Sequence, residues 1–136
     1  MRKIPVLDAN IILRFLTNDN PQKAEACSAL LEKVERNEEQ VWLPDLVLAD
    51  VIWTLEKFYR QSKAEIADLL TPIMNLRGLH CSGKEAVFLA LRLYVRYNID
   101  WTDAFVAAQL ISQEAGTIYS YDRDFDRIPD VVRVEP

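Results

Sequence analysis

The order of strand-like and helix-like segments is the feature that most constrains the fold of this chain. Five short apolar segments predict β-strands, at about residues 3–8, 41–43, 79–81, 117–121 and 131–134. Long segments with apolar residues at helical spacing separate the first four. Because these connections are long enough to bring each strand back parallel to the previous one, the pattern predicts a three-layer α/β/α sandwich with a mainly parallel central sheet.

Six helices are predicted in the connections, at about 9–17, 21–36, 45–60, from Ser62 onward, 83–97 and 102–115. The pair Asn20-Pro21 is typical of an N-cap followed by the first helical residue. Pro72 is expected to bend the fourth helix or end it early. The segment 102–115 is nearly all apolar, so we expect it to be buried on most sides and capped by Gly116.

Length and composition indicate one ordinary domain spanning residues 1–136, with half of its residues hydrophobic and 27% charged. The chain has 3 glycines and neither a G-x-G-x-x-G nor a Walker pattern, which excludes the common nucleotide-binding loops. Cys27 and Cys81 lie in apolar segments and lack C-x-x-C spacing, so they predict buried, reduced thiols, as in the cytoplasm. No leader opens the chain and no apolar run approaches the roughly 18 residues of a membrane span, so no membrane association is expected.

The net charge of −5 argues against a nucleic-acid partner at first sight, because basic patches are the usual footprint of such binding. The negative net charge does not exclude nucleic-acid binding if the acidic residues are concentrated in one metal site. Basic side chains then remain to line its rim, although each alone is typical of a solvated helix face. They are Arg14, Lys57, Arg60, Lys63, Arg92, Arg96, Arg123 and Arg127.

Asp8 and Asn10 follow the first apolar strand, and a helix begins at once. Ligands of α/β sheets tend to bind at such carboxyl ends of strands, opposite helix N-termini. Asp and Asn are also preferred N-caps, so this segment alone supports capping and chemistry about equally.

Two further acids lie in apolar helices. Asp50 is in mid-helix, where a buried carboxylate needs a ligand or hydrogen bond, although a surface position at the edge of the apolar stripe is the simpler alternative. Asp103 lies in the first turn of the most apolar helix. Because Asp100 or Thr102 can serve as its cap, Asp103 is left over for another role, although the helix dipole alone would also stabilise its charge.

Asp122 closes the strand 117–121 as Asp8 closes the first strand, and Asp124 and Asp126 follow it. An Asp-rich turn is common at a strand end, but acids on two strand ends and two helices together indicate one cluster. Carboxylates about 5 Å apart repel by roughly 3 kcal/mol per pair at an effective dielectric constant of 20, so a divalent cation is expected between them. Oxygen ligands favour Mg²⁺ or Mn²⁺ over zinc, for which His80 and the separated cysteines provide no ligand set.

Four segments, taken in order, resemble the PIN domain. They are Asp8-x-Asn10, Leu48-Ala-Asp50-Val behind Leu43-Pro44-Asp45, Asp103-Ala104, and Ser120-x-Asp122-x-Asp124-Phe125. The resemblance covers essentially the whole chain and is strongest to the small VapC-type toxins of toxin–antitoxin pairs. It implies a Mg²⁺- or Mn²⁺-dependent endoribonuclease that forms a homodimer and is held inactive by a cognate antitoxin. One departure is that the helix acid, Asp50 here, is usually Glu in this family.

We expect Asp8 and Asp103 to bind the metal most directly, with Asp50 and Asp122 as further ligands or as acceptors for its waters. These four are the expected catalytic residues. Asp124 is an additional candidate ligand, and Asn10 and Ser120 are expected to orient the carboxylates or contact substrate. The metal would lower the pKa of a bound water for in-line hydrolysis of an RNA phosphodiester, and a carboxylate that the sequence does not identify would accept the proton.

Other function classes fit less well. A phosphatase of the haloacid-dehalogenase type needs a second Asp two residues after the first, where this chain has Asn10. A phospho-receiver domain needs an acidic pair before the phosphorylated strand and a lysine after the last strand, and the sequence has neither. The alternative that stays open is a non-catalytic PIN-like module that binds DNA or RNA with a partner protein.

Overall fold

The computed structural model describes residues 3–136 of the chain. Its contacts divide the chain into two compact parts, an N-terminal unit that ends at Ser82 and a C-terminal unit, Gly83–Pro136. Each unit combines helices with one pair of parallel strands. The predicted α/β class with parallel strands is therefore confirmed, while the single domain over residues 1–136 stays a prediction.

The N-terminal unit contains four helices and two short strands. They are α1 (Ala9–Thr17), α2 (Pro21–Glu35), β1 (Val41–Trp42), α3 (Asp45–Lys57), α4 (Lys63–Met74) and β2 (Leu79–His80). The strands are parallel, with Val41 opposite Leu79 and Trp42 opposite His80. All six elements were expected close to these positions, because their apolar spacing and caps are local signals.

The first predicted strand, at about 3–8, is wrong as a full strand. The segment forms one isolated parallel bridge, between Val6 and Trp42, in which the Trp42 amide donates to the Pro5 carbonyl and the Leu7 amide donates to the Trp42 carbonyl, both at 2.8 Å. Pro5 has no amide hydrogen to donate, so it cannot extend the pairing on its side of the bridge.

Local chemistry explains how the helices of this unit begin and end. The Asn20 side chain accepts a hydrogen bond from the Lys23 amide at 3.2 Å, with Pro21 as the first residue of α2, as the sequence predicts. Pro72 does not end α4 early, because the helix continues past it to Met74. At the start of α4 the Ser62 side chain accepts a hydrogen bond from the Glu65 amide, so the N-terminal ends of α2 and α4 are both capped by side chains close in sequence.

Gly78 allows β2 to begin close to the segment before β1. Its amide donates to the Val34 carbonyl at 2.9 Å and its carbonyl accepts from the Val41 amide at 2.8 Å. A Cβ atom at this position would lie 2.1 Å from the Glu39 carbonyl oxygen. Only glycine permits this close approach of backbone to backbone.

The C-terminal unit contains two α-helices, a 3-10 helix and two strands. They are α5 (Lys84–Arg96), α6 (Trp101–Ser112), β3 (Thr117–Tyr119), the 3-10 helix Arg123–Arg127, and β4 (Val132–Val134). β3 and β4 are parallel, with Ile118 opposite Arg133. The fully buried Tyr94 of α5 packs edge-to-face on Trp101 of α6, with ring centroids 5.8 Å apart.

Two expectations about α6 are wrong. The helix ends at Ser112, and Gly116 is not its cap but adopts φ +72° at the turn into β3. The buried face of α6 is formed largely by alanines, including Ala104 and Ala107. Several larger apolar side chains of the helix stay partly exposed. These are Phe105, Val106, Leu110 and Ile111.

Two further observations bear on the sequence predictions. Cys27 and Cys81 are free cysteines, and Cys27 is buried as predicted, whereas Cys81 is partly exposed, because it lies just after the end of β2. Across residues 3–136, no helix combines the length and the apolar character that crossing a membrane requires.

Candidate metal centre

Asp103 reaches the candidate site from the first turn of α6. Asp100 occupies the N-cap position, with extended backbone angles, and its side chain makes no capping hydrogen bond within the described residues. This settles which of the two candidate residues begins the helix. Asp103 is half-buried in the same turn and takes no part in the cap.

Asp122 and Asp124 reach the site from the turn that follows β3. The Ser120 hydroxyl accepts a hydrogen bond from the Asp122 amide at 3.0 Å. The Asp122 carboxylate then accepts one from the Asp124 amide at 2.9 Å, which begins the 3-10 helix. Phe125 follows and is 4% exposed, so its buried ring anchors this turn. Local hydrogen bonds and one apolar anchor therefore fix both acids.

Asp103, Asp122 and Asp124, which we call the acidic trio, meet in the C-terminal unit. One carboxylate oxygen from each lies within 4.8 Å of those of the other two. The pKa of Asp103 is raised from 3.8 to about 6, first by burial and then by the negative charge and hydrogen bond of Asp122. Two unit charges at this separation repel by roughly 3.5 kcal/mol at an effective dielectric constant of 20. A cation bound here would relieve that repulsion.

Two arginines support the trio. Arg127 lies 3.3 Å from an Asp124 oxygen and also donates to the carbonyls of Tyr97 and Asn98, which join α5 to α6. Arg133 of β4 pairs with both carboxylate oxygens of Asp126, at 3.0 and 3.2 Å. The acid run after β3 is therefore divided: Asp122 and Asp124 join the trio, while the charge of Asp126 is balanced by Arg133.

Arg133 also donates to the Ser120 carbonyl at 3.1 Å, which ties the end of β3 to β4. Sequence reasoning missed this residue. The signal for it was present, since an arginine set between Val132 and Val134 in a strand needs a partner for its charge. Its contacts make Arg133 a positioning residue for the turn that carries Asp122.

The family model of the PIN domain matches residues 6–131, which spans both compact units. The chain belongs to the PIN-domain family. It is also 20% identical over 123 residues to the VapC ribonuclease of Aquifex aeolicus (strain VF5), a match that covers 90% of each chain. The resemblance read from the sequence is thereby confirmed at the level of the family.

Two of the residues that match the PIN-domain motifs, Asp8 and Asn10, lie at the start of α1 in the N-terminal unit. Asp8 is the N-cap of α1, yet its carboxylate is exposed and forms no capping hydrogen bond to the part of the chain described. Capping therefore does not occupy Asp8. Asn10 is exposed in the first turn of the same helix.

Asp50 is exposed on α3, so the argument that a buried helix acid needs a ligand does not apply to it. Exposure agrees with a surface residue at the edge of the apolar stripe and equally with a carboxylate open to a metal. The structure thus brings together Asp103, Asp122 and Asp124, whereas the roles of Asp8, Asn10 and Asp50 stay predictions.

Proposed function

We propose that this PIN domain is a divalent-metal-dependent endoribonuclease, a hydrolase that acts on RNA phosphodiester bonds and serves as the toxin of a toxin–antitoxin pair. The observation that carries the proposal is the acidic trio, whose carboxylates lie within 4.8 Å of one another in a member of the PIN family. The name of the relative, VapC ribonuclease, supports RNA as the substrate and an antitoxin as the partner.

The donor set fits Mg²⁺ or Mn²⁺. The trio offers only carboxylate oxygens, the ligands that these hard cations prefer, and Asp122 is exposed, so a cation held by these residues would also be accessible to water. When bound, such a cation lowers the pKa of a water and neutralises negative charge on the phosphate. Asp103, whose pKa is raised to about 6 by burial and by Asp122, would be held in its carboxylate form by a bound cation.

The protein's own groups supply the rest of the chemistry. The Ser120 hydroxyl and the Asp124 amide hold Asp122 in place, and Arg127 holds Asp124. A carboxylate of the site accepts the proton of the attacking water. We propose that Asp8 and Asp50 add further carboxylates and that Asn10 orients substrate, on the strength of their positions in the family motifs.

We further propose that the protein is cytoplasmic and forms a homodimer, and that a cognate antitoxin binds it and blocks the acidic site. The partly exposed apolar side chains of α6 support contact with a second protein surface. Size-exclusion chromatography with light scattering measures the mass: a dimer has twice the 15.7 kDa of one chain. A harmless monomer that neither arrests growth nor acts on RNA would contradict both partner proposals.

The nuclease proposal is tested with purified protein and total RNA, incubated with Mn²⁺ or with EDTA. We expect cleavage only with Mn²⁺, and none by Asp103→Asn under either condition. Asp130→Asn is the matched control, because Asp130 is an exposed acid of the same unit that lies outside the trio. Cleavage that persists in EDTA, or in Asp103→Asn, would rule out the proposed centre, and no cleavage by any protein would favour the non-catalytic binding module.

A further inference from the structure

A cavity of about 380 Å³ lies beside α1 in the N-terminal unit. Asn10, Arg14 and Thr17 line it from α1, and Thr54, Phe58 and Tyr59 line it from the end of α3 and just beyond. This volume lies within the range of small-molecule sites, roughly 300–1,000 Å³. The cavity carries one basic and one acidic side chain, Arg14 and Asp19, and its function is unassigned.

The charge of Arg14 is available to a ligand. Arg14 is a half-buried residue, and its guanidinium forms no ion pair or hydrogen bond with any residue between 3 and 136. The carboxylate of Asp19 in the same cavity accepts a hydrogen bond from the Tyr59 hydroxyl. A guanidinium without a carboxylate partner suits the oxygens of a phosphate group.

Phe58 gives the same cavity an aromatic surface. The Phe58 side chain is 74% exposed, so it packs little against the rest of this chain. The ring contacts Tyr59 edge-to-face, with ring centroids 4.9 Å apart, and the Tyr59 hydroxyl donates a hydrogen bond to Asp19. An exposed aromatic ring in a cavity that also carries an arginine is the kind of surface on which nucleic-acid bases stack.

We propose that this cavity binds one nucleotide of a single-stranded RNA, with a phosphate on Arg14 and a base stacked on Phe58. Asn10 lines the cavity and follows Asp8 by two residues, so the proposed subsite lies at the end of α1 that carries Asp8. This subsite rests on the proposed nuclease function. It identifies a region outside the acidic trio that would hold the substrate strand.

The test measures RNA binding by the full chain carrying Asp103→Asn, which is not expected to cleave. Fluorescence anisotropy of a labelled single-stranded oligoribonucleotide is followed at several salt concentrations. The plot of log affinity against log salt concentration has a negative slope. Adding Arg14→Ala should make this slope less steep by about 0.7, the value for one lost phosphate contact on a single strand. Arg36→Ala, which removes an exposed arginine of the same unit outside the cavity, should leave the slope unchanged.

The aromatic contact has a different signature. Phe58→Ala should weaken RNA binding by about fivefold or more, at the low end of measured base–aromatic stacking, without changing the salt slope. Phe58→Trp keeps a stacking surface and should restore the affinity. A ring with a merely structural role would not produce this separation of affinity from salt dependence.

Failure of the subsite differs from failure of the nuclease. If the otherwise wild-type protein cleaves RNA but Arg14→Ala and Phe58→Ala bind RNA as tightly as their parent, the subsite is overturned and the nuclease stands. Unchanged RNA binding together with lost antitoxin binding would identify a protein segment as the occupant and also overturn it. If no form of the protein cleaves or binds RNA, both proposals fail.

Discussion

Replacing Asp103 by asparagine is expected to stabilise the metal-free protein at neutral pH while it abolishes RNA cleavage. The pKa of Asp103 is raised from 3.8 to about 6 in the folded protein. The folded state therefore binds this proton more tightly than the unfolded state does. The stabilising contribution is fully present below pH 4 and is lost as the pH rises through 6, where the folded protein holds a crowded carboxylate.

The size of the effect follows from this difference in pKa. Two pKa units at 1.36 kcal/mol each give roughly 3 kcal/mol at neutral pH as an upper bound. Asp103 is only half-buried and Asp122 is exposed, so solvent screening reduces the repulsion between them. After that discount we expect Asp103→Asn to raise the free energy of unfolding by about 1–2 kcal/mol at pH 7.5 and by almost nothing below pH 4.

Urea unfolding in EDTA at pH 3.5 and pH 7.5 measures this difference directly, with Asp130→Asn as the control that should show no pH-dependent gain. Mn²⁺ should then reverse the order at pH 7.5, because it stabilises the wild type and not the variant. A loss of stability in Asp103→Asn at pH 7.5 without metal would refute the reasoning, as would an equal gain at both pH values.

Three further predictions test the turn that carries Asp122, the close approach at Gly78 and the role of Asp50. Phe125→Ala should cost about 3–5 kcal/mol in urea unfolding and weaken Mn²⁺ binding, since its ring anchors the turn of Asp122; unchanged metal affinity would show that the anchor does not position that acid. Gly78→Ala should lower the Tm sharply because of the 2.1 Å approach to a backbone oxygen, and an unchanged melting curve would disprove that constraint. In calorimetric titrations, Asp50→Glu should keep or improve Mn²⁺ affinity, whereas Asp50→Ala should weaken it, though less than Asp8→Ala. Equal affinity in wild type and Asp50→Ala would place Asp50 outside the site.

Features of the fold that depend on nearby residues could be predicted from the sequence. Asn20 and Pro21 mark the start of α2 because an N-cap and a first-turn proline act within one turn. Asp103 could be singled out because Asp100 or Thr102 can cap α6, and the structure places Asp100 at that position. The hydrogen bond from the Asp124 amide to Asp122 likewise joins residues close in sequence, so the positions of these acids in one turn could be predicted.

Features that depend on distant residues could not be predicted. The first predicted strand forms only one bridge, because its pairing depends on hydrogen bonds with Trp42, far along the chain, which the apolar pattern of the segment itself does not reveal. The sequence also does not show that Arg133, seven residues away on β4, pairs with Asp126 of the acid run. The cavity around Arg14 also needs the end of α3, about 40 residues away, to complete it. Local periodicity contains no information on such pairings.

The central claim is that the acidic trio is the metal centre of a ribonuclease. Its most direct test is the rate at which one labelled RNA is cleaved as a function of Mn²⁺ concentration, for wild type, Asp122→Asn and Asp130→Asn. We predict no cleavage in EDTA, a rate that saturates with Mn²⁺ for wild type and Asp130→Asn, and a loss of at least 100-fold for Asp122→Asn, of the order seen for removal of a key catalytic contact. The same Mn²⁺ dependence and rate in Asp122→Asn as in wild type would contradict the claim.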